Sequence, residues 1–290
     1  VTTPVSPRLE AGAERAERRR GFLLALPSYV YLIVLFALPL VIIGVYSFAS
    51  RSRTGRPKLE AWNLDAWAKL LEPAVRSIAM RSVVLALMTT LLCLLIAYPF
   101  AYYLATRTER SRNLLLILVM IPFWSNFLVR TYAWRNLLGK NGLVTDIGEF
   151  LGLWGETLFT TTAVYIGLVY GFLPFMVLPL YAALERMDWS LVEAGRDLYA
   201  SGWTAFRRIT WPISRPGVVA GSILVFIPSL GAYVTPDILG GAKTTLLGNY
   251  IVEQFFTARN WPVGSAVSMA IMVVMLLATV YYFRSGAKTL

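Results

Sequence analysis

Long apolar runs decide what this chain can fold into. Six of them, at roughly 22–48, 82–105, 113–135, 157–184, 217–236 and 263–283, hold about twenty residues or more each. A helix rises 1.5 Å per residue, so about twenty apolar residues cross the ~30 Å hydrocarbon core of a bilayer. Soluble domains are about half apolar, whereas 57% of these 290 residues are hydrophobic. In lipid every backbone N–H and C=O must bond inside the protein, so spans of this length form helices. The expected fold class is all-α integral membrane, with six transmembrane helices. The first run follows a polar segment at once and is too long for a signal-peptide core, so it reads as a retained span.

Composition removes several functions. The chain has no His and one Cys, Cys93, which lies inside an apolar run as a small buried hydrophobe. Zinc sites, His-based triads and structural disulfides within the chain are therefore excluded. Net charge is +11, but no separate basic domain offers itself to nucleic acid. Basic residues flanking membrane spans account for the charge. An even number of spans puts both termini on one side. The basic residues divide almost evenly between the two sides, so the cluster Arg18-Arg19-Arg20 beside the first span sets the orientation, with both termini cytoplasmic.

On that orientation the chain divides into a disordered cytoplasmic tail (1–20), a first span with an outer amphipathic segment (21–76) and a transmembrane domain (77–284). Leu59, Trp62, Leu64, Trp67, Leu70 and Leu71 suggest a short helix lying on the outer surface. Residues 136–156 and 237–262 form outer loops. Residues 239–245 lack the Gly-Lys-Ser/Thr order of a phosphate loop, so no nucleotide site is expected there. Pro39, Pro99, Pro122, Pro174 with Pro179, and Pro228 fall within five of the six spans, where each removes a backbone hydrogen bond. A bundle broken this often suggests a moving pathway rather than a rigid anchor.

One polar segment of about twenty residues, Glu193 to Pro212, separates two apolar runs. Ser190 and Glu193 fit a capping box that starts a short helix over about 191–200. Ala194 and Gly195 leave one side of it small, open to close approach. Gly202 breaks the chain, a second short helix covers about 203–210, and Pro212 and Pro216 end it and start the next span. Two short helices on a water-facing surface fit a groove on a partner.

Glu193-Ala194-Gly195, followed by Ile209-Thr-Trp-Pro212, resembles the cytoplasmic EAA loop of ABC importer permeases, whose pattern is Glu-Ala-Ala, then Gly, then Ile-x-Leu-Pro. The resemblance implies a type I ABC importer transmembrane domain whose coupling loop (186–215) docks into a cleft on an ATPase subunit. It assigns ATPase coupling to Glu193, Ala194, Gly195, Gly202, Ile209 and Pro212. This chain departs from the pattern at Gly195 in place of the second Ala, Tyr199 in place of the usual Gly and Trp211 in place of Leu. Gly202, three residues after Tyr199, is the candidate for the turn. Glu193 is open to two roles, cap and docking contact, which are compatible.

Three further stretches, Pro122–Trp134, Tyr233–Gly241 and Gly248–Phe256, resemble spermidine/putrescine permeases, specifically the first of the two homologous permeases in such a system. That implies a bacterial inner-membrane protein working with a second homologous permease, an ATPase dimer that carries the ATP and Mg, and an extracytoplasmic solute-binding protein, with no cofactor on this chain. A polyamine is a flexible polycation, and aromatic faces attract cations by about 0.5–2 kcal/mol each. Trp124, Asn126, Tyr132, Trp134, Pro228, Tyr233 and Asp237 are the candidate pathway residues. Arg130 joins them with two readings open, a functional membrane charge or a side chain that snorkels to the surface.

The alternatives are an ATP-independent secondary transporter and a membrane-embedded enzyme. Secondary carriers place ionisable groups at mid-membrane for ion coupling, and these spans hold almost no carboxylates. An enzyme would need a buried nucleophile, acid–base pair or metal cluster, and no such pair is evident in the spans.

Overall fold

The computed structural model describes residues 7–52, 57–59, 62–241 and 244–286. Helix α1 (Pro7–Tyr46) is followed by a small antiparallel hairpin, β1 (Ser50–Arg51) with β2 (Pro57–Lys58), and by the short α2 (Asp65–Ala68). Then come α3 (Pro73–Ala105), α4 (Glu109–Trp124), α5 (Phe127–Leu138), α6 (Leu143–Phe150) and α7 (Thr161–Glu185). The chain closes with α8 (Ser190–Asp197), α9 (Gly202–Ala205), α10 (Trp211–Leu230), α11 (Leu247–Val252) and α12 (Trp261–Gly286).

Five helices are long and apolar enough to cross a membrane: Leu24–Tyr46, Pro73–Ala105, Thr161–Glu185, Gly202–Leu230 and Trp261–Val280. The third expected span, 113–135, is not one straight helix. It is α4 and the α5–α6 segment, bent by 92°. The first helix also begins earlier than expected: Pro7–Arg20, read as a disordered tail, is helical in its backbone, and residues 1–6 of that tail lie outside the described residues.

The core is made by α3, α7 and α10. Cys93, Ala97 and Ala101 of α3 meet Met176, Leu180 and Leu184 of α7 and Val225 of α10, all fully buried. Helices attract weakly in lipid, so close backbone approach through small residues carries the packing. Gly217 and Gly221 provide it on α10: a Cβ on the first would come 2.6 Å from the Ala183 Cβ, and on the second 2.7 Å from the Met176 sulfur. The buried Tyr98 hydroxyl and Ser214 Oγ, 2.7 Å apart, tie α3 to α10 across this core. α1 stands outside it, with none of its most apolar stretch buried, and lies against α12 through Tyr46 and Trp261, whose rings are 6.0 Å apart.

The prolines behave differently from expectation. Helices run unbroken through Pro39, Pro99, Pro174, Pro179 and Pro228. Among the described residues the one sharp break of a span follows Pro122, at Ser125-Asn126, and polar side chains fix it there. The outer amphipathic helix is also largely absent. Among the described residues before α3, helix in this segment covers Asp65–Leu71, where Trp67 and Leu70 pack against a cluster containing Val263, while Leu59, Trp62, Leu64 and Leu71 are exposed. Two-residue strands precede it instead, and Phe48 stacks on Trp62.

Candidate functional site

The polar segment between α7 and α10 folds as two short helices around its own small core. Met187, Val192 and Ala205 are buried, with Trp189 and Ile209 packed on them. The expected capping box does not form. α8 is capped one step earlier, by the Asp188 carboxylate accepting from the Ser190 N–H at 3.0 Å. Hydrogen bonds from Ser190 hold the Asp188 carboxyl below the usual carboxylate range. Glu193 is exposed on α8 and, among the described residues, has no hydrogen bond or ion pair from its carboxylate, so the capping role falls away.

The turn between the helices lies at Tyr199, not at Gly202. Tyr199 has φ +59°, the left-handed region glycine favours. The Ala200 N–H donates to the Gly195 carbonyl and the Tyr199 N–H to the Arg196 carbonyl, the paired bonds of a Schellman motif. Glycine is the ordinary residue there, and tyrosine fills its place 99% exposed. Gly202 instead opens α9, capped by the Ser201 Oγ, which accepts from the Thr204 N–H at 3.3 Å. Gly195 faces the second helix, with a Cβ there lying 2.9 Å from Ile209 Cδ1. Ala194 and Pro212 are exposed.

Pro212 does not end a helix. Gly202–Leu230 is continuous over 29 residues because Phe206–Thr210 adopts a π turn, with the Trp211 N–H donating to the Phe206 carbonyl. The wider turn makes room for a proline ring that would clash with a carbonyl one α-turn back. The loop is thus rigidly joined to a span. Rings join it to α3 as well. Trp203 stacks on Phe206 at 5.4 Å, Phe206 meets Tyr98 edge-on at 5.5 Å, and Trp189 meets Tyr102 at 5.5 Å. Sequence reasoning missed Asp188, Tyr98 and Tyr102. The Asp-x-Ser spacing at 188–190 is a readable cap signal, while the two tyrosines sit far away in sequence. Leu191, Leu198, Tyr199 and Trp203 are exposed apolar side chains of this loop.

At the broken span, Asn126 caps α5 by accepting from the Leu128 N–H at 2.8 Å, and the Ser125 hydroxyl donates to the Pro122 carbonyl at 2.7 Å. Arg130 does not stand bare. Its guanidinium donates to the Pro122 carbonyl at 2.9 Å and lies over the rings of Phe123 (4.9 Å), Phe127 (5.9 Å) and Tyr170 (5.9 Å). It clasps the two halves of the break. Trp134 packs edge-on against Tyr170 at 5.3 Å and beside Ile238 and Leu239, so α5 and the 236–240 turn come together. Trp124, Tyr132 and Asp237 are exposed at separate places, and Pro228 is exposed near the end of α10. Tyr233 acts through its backbone, its carbonyl accepting from the Asp237 N–H and the Asn249 side chain. Among the described residues no group of three Cys, Asp or Glu could hold a metal ion.

Comparison with known proteins agrees with this architecture. The chain is 42% identical over 260 residues to the spermidine/putrescine transport system permease protein PotB of Salmonella typhimurium (strain SL1344), covering 88% of this chain and 90% of that protein. It is 41% identical over 260 residues to PotB of Escherichia coli (strain K12), covering 88% and 94%. A crystal structure of a bacterial alginate ABC transporter, in complex with an alginate-pentasaccharide-bound periplasmic protein, shares the fold, with a TM-score of 0.69 at 14% identity over 94% of this chain and 95% of that one. These likenesses leave the ATP-independent carrier without support. The sequence profile of the family described as binding-protein-dependent transport system inner membrane component matches residues 11–285. The chain belongs to that family, as a multi-pass inner-membrane permease subunit of an ABC importer.

Proposed function

We propose that this permease imports a polyamine of the spermidine/putrescine class or a related amine, as one half of a translocation pathway shared with a second, homologous permease. The observation that carries the solute class is the 42% identity to a spermidine/putrescine permease over 88% of the chain. The ATPase is a separate dimer that holds the ATP and Mg; this chain carries no cofactor of its own. An extracytoplasmic binding protein selects the solute and docks on the loops at 50–76 and 237–262. Both termini are cytoplasmic. The domain from 77 to 284 holds the pathway, with the first helix beside it.

Coupling runs through the 186–215 loop. Glu193, Ala194 and the exposed Leu198, Tyr199 and Trp203 form the contact with the ATPase, and Gly195 and Ile209 hold the two loop helices together. Closure of the ATPase dimer pulls the loop, and the unbroken Gly202–Leu230 helix supports a rigid transfer of that pull to the core. Trp134 and Tyr233, with Trp124, Asn126, Tyr132, Pro228 and Asp237, form the pathway wall, and Arg130 fixes its bend rather than contacting the cation.

Affinity isolation of this chain from its native membrane in mild detergent, with mass spectrometry of what accompanies it, tests the assembly. Recovery of an ATPase and a second six-span permease is expected, and radiolabelled spermidine uptake should vanish when the ATPase is removed. Uptake that survives that removal overturns the coupling reading. Uptake of a solute that is not an amine, with spermidine and putrescine excluded, overturns the solute class alone.

A further inference from the structure

We infer that the cavity between the start of α3 and the start of α7 binds the phosphate-bearing headgroup of an anionic phospholipid. It encloses about 350 Å³ at the membrane face opposite the coupling loop. Three elements bound it: Arg81 and Val84 of α3, Thr161 and Tyr165 of α7, and Thr244 and Thr245 of the loop before α11. Its polar groups are one guanidinium and several hydroxyls, with no carboxylate among the lining residues.

Two of these groups lack a partner. Among the described residues Arg81 makes no ion pair or hydrogen bond; the one ion pair is Arg112 with Glu185 at 3.2 Å. The Thr244 hydroxyl is buried without a hydrogen-bond partner. Arg81 is exposed and free to donate, and together with the unsatisfied Thr244 hydroxyl it suits an acceptor-rich anion. The site is also held in shape. The buried Leu247 N–H donates to Ser82 Oγ at 2.8 Å, which pins the 244–246 loop to the residue next to Arg81.

The occupant is a lipid because of what lies beyond the cavity. Val84 is half-exposed, and Leu87, Met88, Leu91 and Leu95 follow it on the same face of α3, all exposed. An acyl chain entering beside Val84 has an apolar track about three turns long to lie on. A phosphate-bearing headgroup offers acceptors to the guanidinium and the hydroxyls while its acyl chain lies on that track. A polyamine is a poor fit for the same site, because Arg81 would repel it. The inference needs only that the chain spans a membrane and does not depend on the cargo.

The test uses the full importer complex. Native mass spectrometry of the wild type is expected to show retained phosphatidylglycerol. Arg81→Gln should retain it about fivefold less, the weight of one basic residue near an anionic surface, and Arg81→Lys should keep most of it. In nanodiscs, adding phosphatidylglycerol to a phosphatidylcholine bilayer should raise the melting temperature of the wild type and leave Arg81→Gln unchanged. Equal retention by wild type and Arg81→Gln overturns the inference. So does the same stabilisation from inorganic phosphate in phosphatidylcholine alone, which would make the site one for a free anion. Disulfide cross-linking of the Met80→Cys variant to the second permease also overturns it, because the face would then be a subunit interface. If Arg81→Gln does not assemble, the wild-type comparison between the two nanodisc compositions still decides.

Discussion

Gly195 and Ile209 are fourteen positions apart and touch: a Cβ added to the glycine would lie 2.9 Å from Ile209 Cδ1. This contact holds the two short helices of the 186–215 loop together. The far end of an isoleucine can shift, so Gly195→Ala should leave ATPase association within about twofold of wild type. Gly195→Leu overfills the contact, at about 1–3 kcal/mol, and should release the ATPase in a pull-down. Ile209→Ala in the Gly195→Leu background should restore part of it.

Glu193 makes no cap, so its removal separates folding from docking. Glu193→Ala should leave the melting temperature of the isolated permease unchanged while ATPase co-purification and uptake fall. A parallel fall in permease stability would show that Glu193 supports the loop itself.

Tyr199 holds a left-handed backbone that costs a non-glycine residue about 1 kcal/mol. Tyr199→Gly relieves that cost, and the greater freedom of glycine in the unfolded chain offsets part of the gain. Slower amide exchange at Tyr199 and Ala200 is expected, because both N–H groups are bonded in this turn. Tyr199→Val, with a β-branch at the same φ, should speed exchange.

Arg130 bonds the Pro122 carbonyl and lies over three rings. A charged hydrogen bond contributes about 2 kcal/mol. Arg130→Met should loosen the break, seen as faster exchange across residues 122–130 and reduced uptake in an assembled complex. Arg130→Lys keeps the charge without the planar fork and should fall between.

The Asp188 cap sets a pH dependence. Its folded pKa is lowered, so its stabilisation is present above the ordinary value of 3.8 and is lost as pH falls through the lower folded value. The protection of the Ser190 amide, relative to the intrinsic exchange rate at each pH, should therefore be high at neutral pH and fall only in acid below that value. Asp188→Asn should retain the cap without the pH dependence.

The apolar runs alone required membrane helices, since no other structure hides backbone polar groups in lipid at that length. The polar run from Glu193 to Pro212 likewise marked a loop of two short helices between two spans. What the sequence did not decide is how local signals compete. Prolines that each remove a bond left four helices unbroken, while Ser125 and Asn126 turned the span expected at 113–135 because their side chains satisfy the freed groups. Ser190 fitted a capping box, yet Asp188 took the cap. Gly202 offered a turn, yet the turn formed at Tyr199. The partners of Arg130 and Tyr98 come from distant segments, Tyr170 and Ser214, and only helix packing brings them within reach. Periodicity and composition report what a segment can become on average. Bonds a few ångströms long between residues far apart in the chain are set when the core closes.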